Sequence, residues 1–185
     1  STMKSKGVDY QSAQPAILND YKLIFNLNIK HDNIEPSYAN VVYSKGDRVE
    51  GICFAISENQ LEKLDATEAI GFMDTYERIT VSNVETFQGT IINNCYIYQC
   101  QTAPKENDIW QLKAVPPSCR YLNIIISGAE ASGLSAPYIK QLHQQPCTPI
   151  PQETLAPSII ETAKKNPISL AELQQHCMGK KAPVL

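Results

Sequence analysis

The chain has 185 residues, of which 43% are hydrophobic and 19% charged, so it can form one domain with a core plus a terminal extension. Its formal net charge is −3 and it has no run of Lys and Arg, so nucleic acid and anionic membranes are not expected as partners. No apolar run approaches the roughly 20 residues that span a bilayer, and residues 1–10 lack the apolar stretch of a signal peptide. We therefore expect a cytoplasmic protein, and the sequence carries no indication of its oligomeric state.

The cysteines and histidines do not have the spacing of a metal site. Six cysteines and three histidines are present, and no two cysteines form a C-x-x-C pair. The sequence therefore predicts no metal and no cofactor, and it indicates mostly buried thiols in a reducing compartment. The cysteines are Cys53, Cys95, Cys100, Cys119, Cys147 and Cys177.

The first half of the sequence is rich in predicted strands. Apolar and polar residues alternate there, or short apolar runs stand between turn residues. Gly46-Asp47 predicts a turn, and Gln88-Gly89 predicts the turn of a hairpin between the last two strands. The strand segments are 17–28, 39–43, 48–57, 76–84 and 90–99.

A helix is predicted directly after residue 57. Ser57 and Gln60 have the spacing of a capping box. Leu61 and Leu64 share one face, and Glu68 lies on the same inward stripe if the helix continues that far. A carboxylate directed at a core needs a partner or a function, because its burial is costly. The alternative is that the helix ends earlier and Glu68 is a solvated loop residue.

The second half of the sequence is predicted to be helical. Pro116-Pro117-Ser118 indicates a helix start with Ser118 as the cap, and Gly133 indicates its end. Ser135 caps a shorter helix that has Pro137 in its first turn. Arg120 is expected to be solvated, with contact to a substrate carboxylate as the alternative.

The chain divides into three parts by composition. Residues 1–143 form the predicted domain, 144–157 a Pro-rich linker or a strap over its surface, and 158–185 a helical extension. Within the extension, 168–176 and 182–185 weakly resemble the start of a cytochrome b5-like domain. A capped surface helix is the alternative for this short stretch.

Five segments follow one another in an order that is more specific than any one of them. The segments, each followed by the pattern that it resembles, are Ala16–Phe25 (A-x-L-x-x-Y-x-L-x-F), Val49–Phe54 (V-x-G-V-x-Y/W), Leu61–Ala69 (L-x-x-L-D-x-x-E-G), Pro117–Tyr121 (P-S-x-x-Y) and Gly128–Leu142 (G-A-x-x-x-G-L-x-x-x-Y-x-x-x-L). Together they resemble the γ-glutamylcyclotransferase family, which includes the γ-glutamylamine cyclotransferases. The resemblance covers residues 10–143.

This resemblance implies an α+β fold, a small mixed β-barrel with helices packed outside. It also implies a cofactor-free enzyme that closes the γ-glutamyl group of a small molecule into 5-oxoproline. The glutamate of the L-D-x-x-E signature, the catalytic base of the family, is Glu68 here. Tyr76 and Tyr121 fall where family tyrosines approach the pocket, so they are candidate substrate-binding residues, with core aromatics as the alternative. The leaving group is not indicated.

The sequence departs from the family pattern at two places. Ala69 stands where the family has Gly after the glutamate. Residues 1–9 look like the segment that directly follows the family's Y-G-S-N loop, which holds the γ-glutamyl part of the substrate. Either the protein extends upstream of Ser1, or it lacks its first strand and half of its pocket. The alternative function is therefore a catalytically inactive cyclotransferase-like domain that binds a partner or a metabolite.

Overall fold

The computed structural model describes residues 3–29, 35–67, 76–100 and 110–149. Seven strands and three α-helices lie in these ranges, which confirms the predicted α+β class. A short 3-10 turn, Met3–Lys6, precedes them. In chain order the elements are β1 (Ser12–Ile29), β2 (Tyr38–Ala55), α1 (Glu58–Thr67), β3 (Glu77–Val81), β4 (Val84–Thr86), β5 (Ile91–Ile92), β6 (Cys95–Gln99), β7 (Trp110–Leu112), α2 (Cys119–Ala131) and α3 (Ala136–His143).

Strand β1 is the centre of the larger sheet. It pairs antiparallel with β2 along most of its length, and its other edge pairs with β4 near the start and with β7 near the end. The sheet order is β2-β1-β4-β5, while β3 and β6 form a separate two-stranded antiparallel sheet. Within the described residues the sheet is therefore open, and the predicted closure into a barrel is not found.

The predicted turn at Gly46-Asp47 is wrong, because β2 runs through it without reversing. Gly46 has φ 85° and Asp20 on β1 has φ 63°, and the β1–β2 register shifts between Asn19 and Tyr21. The Gly46 N–H donates to Asp20 Oδ1 at 2.9 Å. Asp20 and Gly46 both have a left-handed backbone conformation and lie opposite each other. They form an irregularity within two long paired strands, at the place where the sequence indicated that the chain reverses.

The predicted hairpin across Gln88-Gly89 is confirmed, although it is divided between two sheets. Gly89 has φ 83° and its N–H donates to the Thr86 carbonyl at 2.8 Å, which closes the turn between β4 and β5. Further from this turn, β3 pairs with β6 from Glu77–Gln99 to Val81–Cys95. The end of the hairpin near the turn, β4 and β5, therefore belongs to the larger sheet, and its other end, β3 and β6, forms the smaller sheet.

Both predicted caps in the second half are confirmed. The Tyr121 N–H donates to Ser118 Oγ at 2.9 Å, and the Tyr138 N–H donates to Ser135 Oγ at 3.3 Å. Gly133 follows α2 with φ 69°, as a C-terminal stop requires. No helix in the described part of the chain is long and apolar enough to cross a bilayer.

The predicted capping box of α1 is wrong. Ser57 Oγ donates to Asn59 Oδ1 at 2.7 Å, and Gln60 Oε1 accepts from the Asp9 N–H at 2.9 Å. Gln60 is buried, so its amide joins the N-terminal segment to the start of α1 and does not return to Ser57. A long-range partner has replaced the local one that the sequence spacing indicated.

The cysteines depart from the expectation of mostly buried thiols. Cys119 and Cys147 form a disulfide with Cα atoms 4.8 Å apart. Thr148 brings the two together, because its carbonyl accepts from the Cys119 N–H at 3.0 Å and its N–H donates to Pro117 at 2.8 Å. Cys147 and Thr148 thus lie against the start of α2. The predicted linker from residue 150 onward and the extension at 158–185 lie outside the described residues.

The described core consists of two larger clusters and a small one. Helices α2 and α3 pack on Phe25 of β1, and the two-stranded sheet packs on Ala16 and Leu18 of the same strand. The small cluster centres on Leu27 and Cys100. The buried residues of the two larger clusters are Phe25, Leu122, Ile126, Ala129, Leu134, Tyr138 and Leu142, and Ala16, Leu18, Val81 and Val84.

Candidate active site

Glu68, the predicted catalytic base, lies outside the described residues, as does Ala69. The helix that leads to it is described as far as Thr67. On this helix Leu64 is buried and Leu61 half-buried, so the predicted apolar stripe is present up to its last turn. The described chain resumes at Tyr76, which directly precedes β3.

The last turn of α1 is attached to the two-stranded sheet through Asp65. Its carboxylate accepts from Arg78 on β3 at 2.5 Å and from the Tyr98 hydroxyl on β6 at 2.7 Å. Arg78 and Tyr98 are direct neighbours in the β3–β6 register. One carboxylate thus contacts both strands, and it fixes where α1 ends relative to them.

The two predicted substrate-binding tyrosines meet at the backbone of one residue, Ala39 on β2. The Tyr76 hydroxyl donates to the Ala39 carbonyl oxygen at 2.9 Å. The Ala39 N–H in turn points at the Tyr121 hydroxyl oxygen, with a longer separation of 3.4 Å. The structure therefore brings Tyr76, directly before β3, and Tyr121, from α2, to the same place.

The edge position of β2 explains why both hydroxyls converge there. In an extended strand the N–H and C=O of one residue point to the same side. Strand β2 is an edge strand of the described sheet. It pairs with β1 along one side only, where Phe25 lies opposite Ala39. The two backbone groups of Ala39 thus face outward from the sheet, where the tyrosine hydroxyls take the place of a neighbouring strand.

The next residue of β2, Asn40, attaches the end of β6 at the same edge. Its side chain donates to the Cys100 carbonyl at 2.9 Å and accepts from the Cys100 N–H at 3.1 Å. Its amide nitrogen also donates to Asn26 Oδ1 at 3.1 Å. Asn40 is 2% exposed, so these bonds replace water and are costly to lose.

The rings of the two tyrosines are set in aromatic and apolar surroundings. Tyr121 contacts Phe25 and Tyr38 edge-on, with ring centroids 6.3 and 5.7 Å away. Tyr76 packs in the small cluster with Leu27 and Cys100. Burial there, with a smaller effect of the Glu77 charge, raises the pKa of the Cys100 thiol to about 11.

A buried carboxylate that the sequence did not reveal lies at the start of α2. Glu35 is 4% exposed, and Ser118 Oγ donates to its carboxylate at 2.7 Å. Arg120 forms an ion pair with it at 2.5 Å. Ser118 therefore caps the helix and also holds Glu35, at a helix end that favours negative charge.

This ion pair differs from both expectations for Arg120. Its guanidinium binds a carboxylate of the protein, and its side chain is 35% exposed, so it is only partly solvated. No local pattern pairs Glu35 with residues more than 80 positions later in the chain, because only the fold brings them together. Ser37 adds a further bond nearby, from its hydroxyl to the Val115 carbonyl at 2.6 Å.

Two other features of the described chain bear on the choice of site. No group of three or more His, Cys, Asp or Glu side chains that could hold a metal ion occurs in the described ranges. A separate cleft has Lys22, Arg48 and Tyr138 among the described residues that line it, and neither Tyr76 nor Tyr121 is among them. The edge of β2 at Ala39 is therefore the place where the described candidates are gathered.

The sequence pattern of the AIG2-like family matches residues 48–142, which is about half of the chain. This stretch includes α1, both tyrosines, α2 and all but the last residue of α3. The chain belongs to this family.

A curated relative supports the cyclotransferase assignment within it. The γ-glutamylcyclotransferase of Bos taurus is 31% identical over 131 residues, which are 69% of this chain and 63% of the relative. The chain thus spans less than two thirds of the length of that relative.

Two solved structures resemble the fold over most of the chain. A γ-glutamyl cyclotransferase matches with a TM-score of 0.61 and 26% identity, covering 85% of this chain and 88% of its own. An uncharacterized protein from Homo sapiens matches with the same score and identity, covering 84% and 86%. The resemblance to γ-glutamylcyclotransferases that the ordered segments indicated is confirmed.

Proposed function

We propose that this chain is a γ-glutamylcyclotransferase that releases 5-oxoproline, with Glu68 as its general acid and base. The observation that carries the proposal is the match to γ-glutamylcyclotransferases in sequence and in fold, over a stretch in which the L-D-x-x-E glutamate is Glu68. The identities of 31% and 26% support the family, and the activity of this chain is our proposal.

The proposed reaction uses the substrate's own amine as the nucleophile. The α-amino nitrogen attacks the γ-carbonyl carbon, a five-membered lactam forms, and the bond to the leaving nitrogen breaks. Glu68 removes a proton from the α-ammonium group and delivers it to the leaving nitrogen, a role that contributes about 10²–10⁴-fold to the rate. Holding the substrate in the folded conformation contributes several kcal/mol more.

The described contacts support this role for Glu68 by connecting the end of α1 to the tyrosine site. Asp65 on the last turn of α1 binds Tyr98 on β6. The next residue after β6, Cys100, is held by Asn40, which directly follows Ala39. The helix end that leads to Glu68 and the residue that gathers both tyrosines are thus joined through β6.

Tyr76 and Tyr121 are assigned a binding and positioning role. A tyrosine hydroxyl can both donate and accept hydrogen bonds, and the polar groups of a γ-glutamyl substrate need both kinds of contact. In the proposed site the two hydroxyls orient the γ-glutamyl group, and their rings supply the apolar surroundings that strengthen these polar contacts. The leaving group would be an amine or an amino acid.

The experiment that tests this function measures 5-oxoproline released from a panel of γ-glutamyl amines and γ-glutamyl dipeptides. The matching α-glutamyl dipeptides are the control, since their α-amine cannot close the same five-membered ring onto the scissile bond. We expect 5-oxoproline and free amine in equal amounts from at least one γ-glutamyl substrate and none from the controls. Binding of γ-glutamyl compounds without any product would contradict the proposal and favour the inactive binding domain.

A further inference from the structure

Two cysteines from different sheets lie side by side away from the tyrosine site. Cys53 is on β2 and Cys95 begins β6, and their Sγ atoms are 3.9 Å apart. Both residues are half-buried, so a small reagent can approach them. A disulfide has its sulfur atoms about 2.05 Å apart, so the pair needs to close by about 2 Å to form one.

The two thiols have different reactivity because of the hydrogen bond between their sulfur atoms. The hydrogen bond with Cys95 lowers the pKa of Cys53 from 9.0 to about 7, against the opposing effect of burial. The same contact, with burial and the Cys53 charge, raises the pKa of Cys95. Cys53 is therefore the thiol that becomes a thiolate near neutral pH and attacks first.

We propose that Cys53 and Cys95 are a reversible redox modification site, a dithiol that a small-molecule disulfide oxidises to an intramolecular disulfide. The Cys53 thiolate attacks one sulfur of the oxidant, whose S–S bond breaks, and the first thiol leaves with a proton. Cys95 then attacks the Cys53 sulfur of this mixed disulfide, and the second thiol leaves with the Cys95 proton. Two cysteine thiols are oxidised, and the oxidant is reduced to two thiols.

The other described cysteines do not have this arrangement. Cys119 is already bonded to Cys147. Cys100 is 3% exposed, and its backbone is held by Asn40. Within the described residues the geometry therefore separates one structural disulfide, one buried thiol and one exchangeable pair.

Oxidation of this pair would add a covalent link between the two sheets. Cys53 belongs to the five-stranded sheet and Cys95 to the two-stranded sheet, whose strands both contact Asp65 on α1. The disulfide would thus fix β6 against β2 and reduce the freedom of the two-stranded sheet. This inference goes beyond the proposed function and does not depend on it.

The test equilibrates the purified chain in glutathione redox buffers from fully reduced to fully oxidised, blocks the remaining thiols and digests with trypsin. Cleavage after Arg48, Lys63, Arg78 and Lys105 places Cys53 on the peptide 49–63 and Cys95 on 79–105. Because 79–105 also contains Cys100, the digest is repeated with Cys100→Ala. We expect loss of both blocked peptides and gain of their disulfide-linked product, reversed by dithiothreitol.

Single variants distinguish the proposed order of attack from unrelated oxidation. In Cys95→Ala we expect Cys53 to accumulate as a mixed disulfide with glutathione, and in Cys53→Ala we expect Cys95 to remain a thiol. The proposal is overturned if the parent keeps both thiols blockable in the most oxidised buffer. It is equally overturned if the parent forms mixed disulfides without the linked product.

Discussion

The Tyr76 hydroxyl donates a hydrogen bond of 2.9 Å to the carbonyl oxygen of Ala39. This bond attaches the residue before β3 to the outer edge of β2, at the position where Tyr121 also arrives. A residue chosen from the sequence as a substrate contact is therefore also a structural contact.

Removing the Tyr76 hydroxyl tests its structural role separately from its proposed substrate-binding role. Tyr76→Phe keeps the ring and leaves the Ala39 carbonyl without this donor, so we expect the free energy of unfolding to fall by about 1 kcal/mol. Urea unfolding measures the change. Tyr43→Phe is the control because Tyr43 is 64% exposed, and it should change stability by less than about 0.5 kcal/mol. Equal losses in both variants would contradict the assigned contact.

The buried carboxylate at the start of α2 should matter more for stability. Glu35→Gln removes the charge that Ser118 and Arg120 hold, and bonds to a charged group contribute about 1.5–3 kcal/mol. We expect a loss of about 2 kcal/mol in urea unfolding. Glu130→Gln is the matched control, since its pair with His143 is exposed at both side chains and should contribute little. A smaller decrease in the free energy of unfolding than in the control would show that the contacts of Glu35 with Ser118 and Arg120 do not stabilise the fold.

The left-handed backbone at Gly46 gives a prediction with a control in the same strand. A Cβ at Gly46 meets nothing within 4 Å, but its φ of 85° is strained for Ala, so Gly46→Ala should cost about 1 kcal/mol. Gly51→Ala also enters open space, and φ there is not left-handed, so it should be neutral or stabilising. Thermal unfolding of the two variants compares them directly. Similar midpoints would mean that the irregularity opposite Asp20 is not present in solution.

The low pKa of Cys53 predicts how its alkylation depends on pH. In the reduced chain the rate should rise through a midpoint near pH 7, because the thiolate is the reactive form. Cys95→Ala removes the hydrogen bond that lowers the pKa and leaves burial, which raises it, so the midpoint should move up. Alkylation at pH 7 should then slow on the order of tenfold. Cys100→Ala should leave the midpoint of Cys53 unchanged, and an unchanged midpoint in Cys95→Ala would show that the hydrogen bond is absent.

The features of the second half that the sequence predicted correctly depend on local sequence pattern. Helix α2, its cap Ser118 and its stop at Gly133 were all predictable, because capping and glycine conformation are set within a few residues. Turn residues were less informative, since Gly46 has the left-handed backbone of a turn but lies inside a paired strand.

The long-range part of the candidate site was not predictable in the same way. The approach of Glu35 to Ser118, and of Asn40 to Cys100, joins residues that 60 or more positions separate. The disulfide between Cys119 and Cys147 likewise depends on how the chain returns after α3. The choice of Glu68, Tyr76 and Tyr121 came from a resemblance, and of these the structure describes the surroundings of the two tyrosines.

The central claim is that Glu68 carries the proton in a cyclisation reaction. The most direct measurement is kcat for 5-oxoproline release by Glu68→Gln, beside Glu62→Gln on the exposed face of α1. We predict that Glu68→Gln lowers kcat by about 10²–10⁴-fold with the fold intact, and that Glu62→Gln matches the parent. A Glu68→Gln variant as active as the parent would contradict the account.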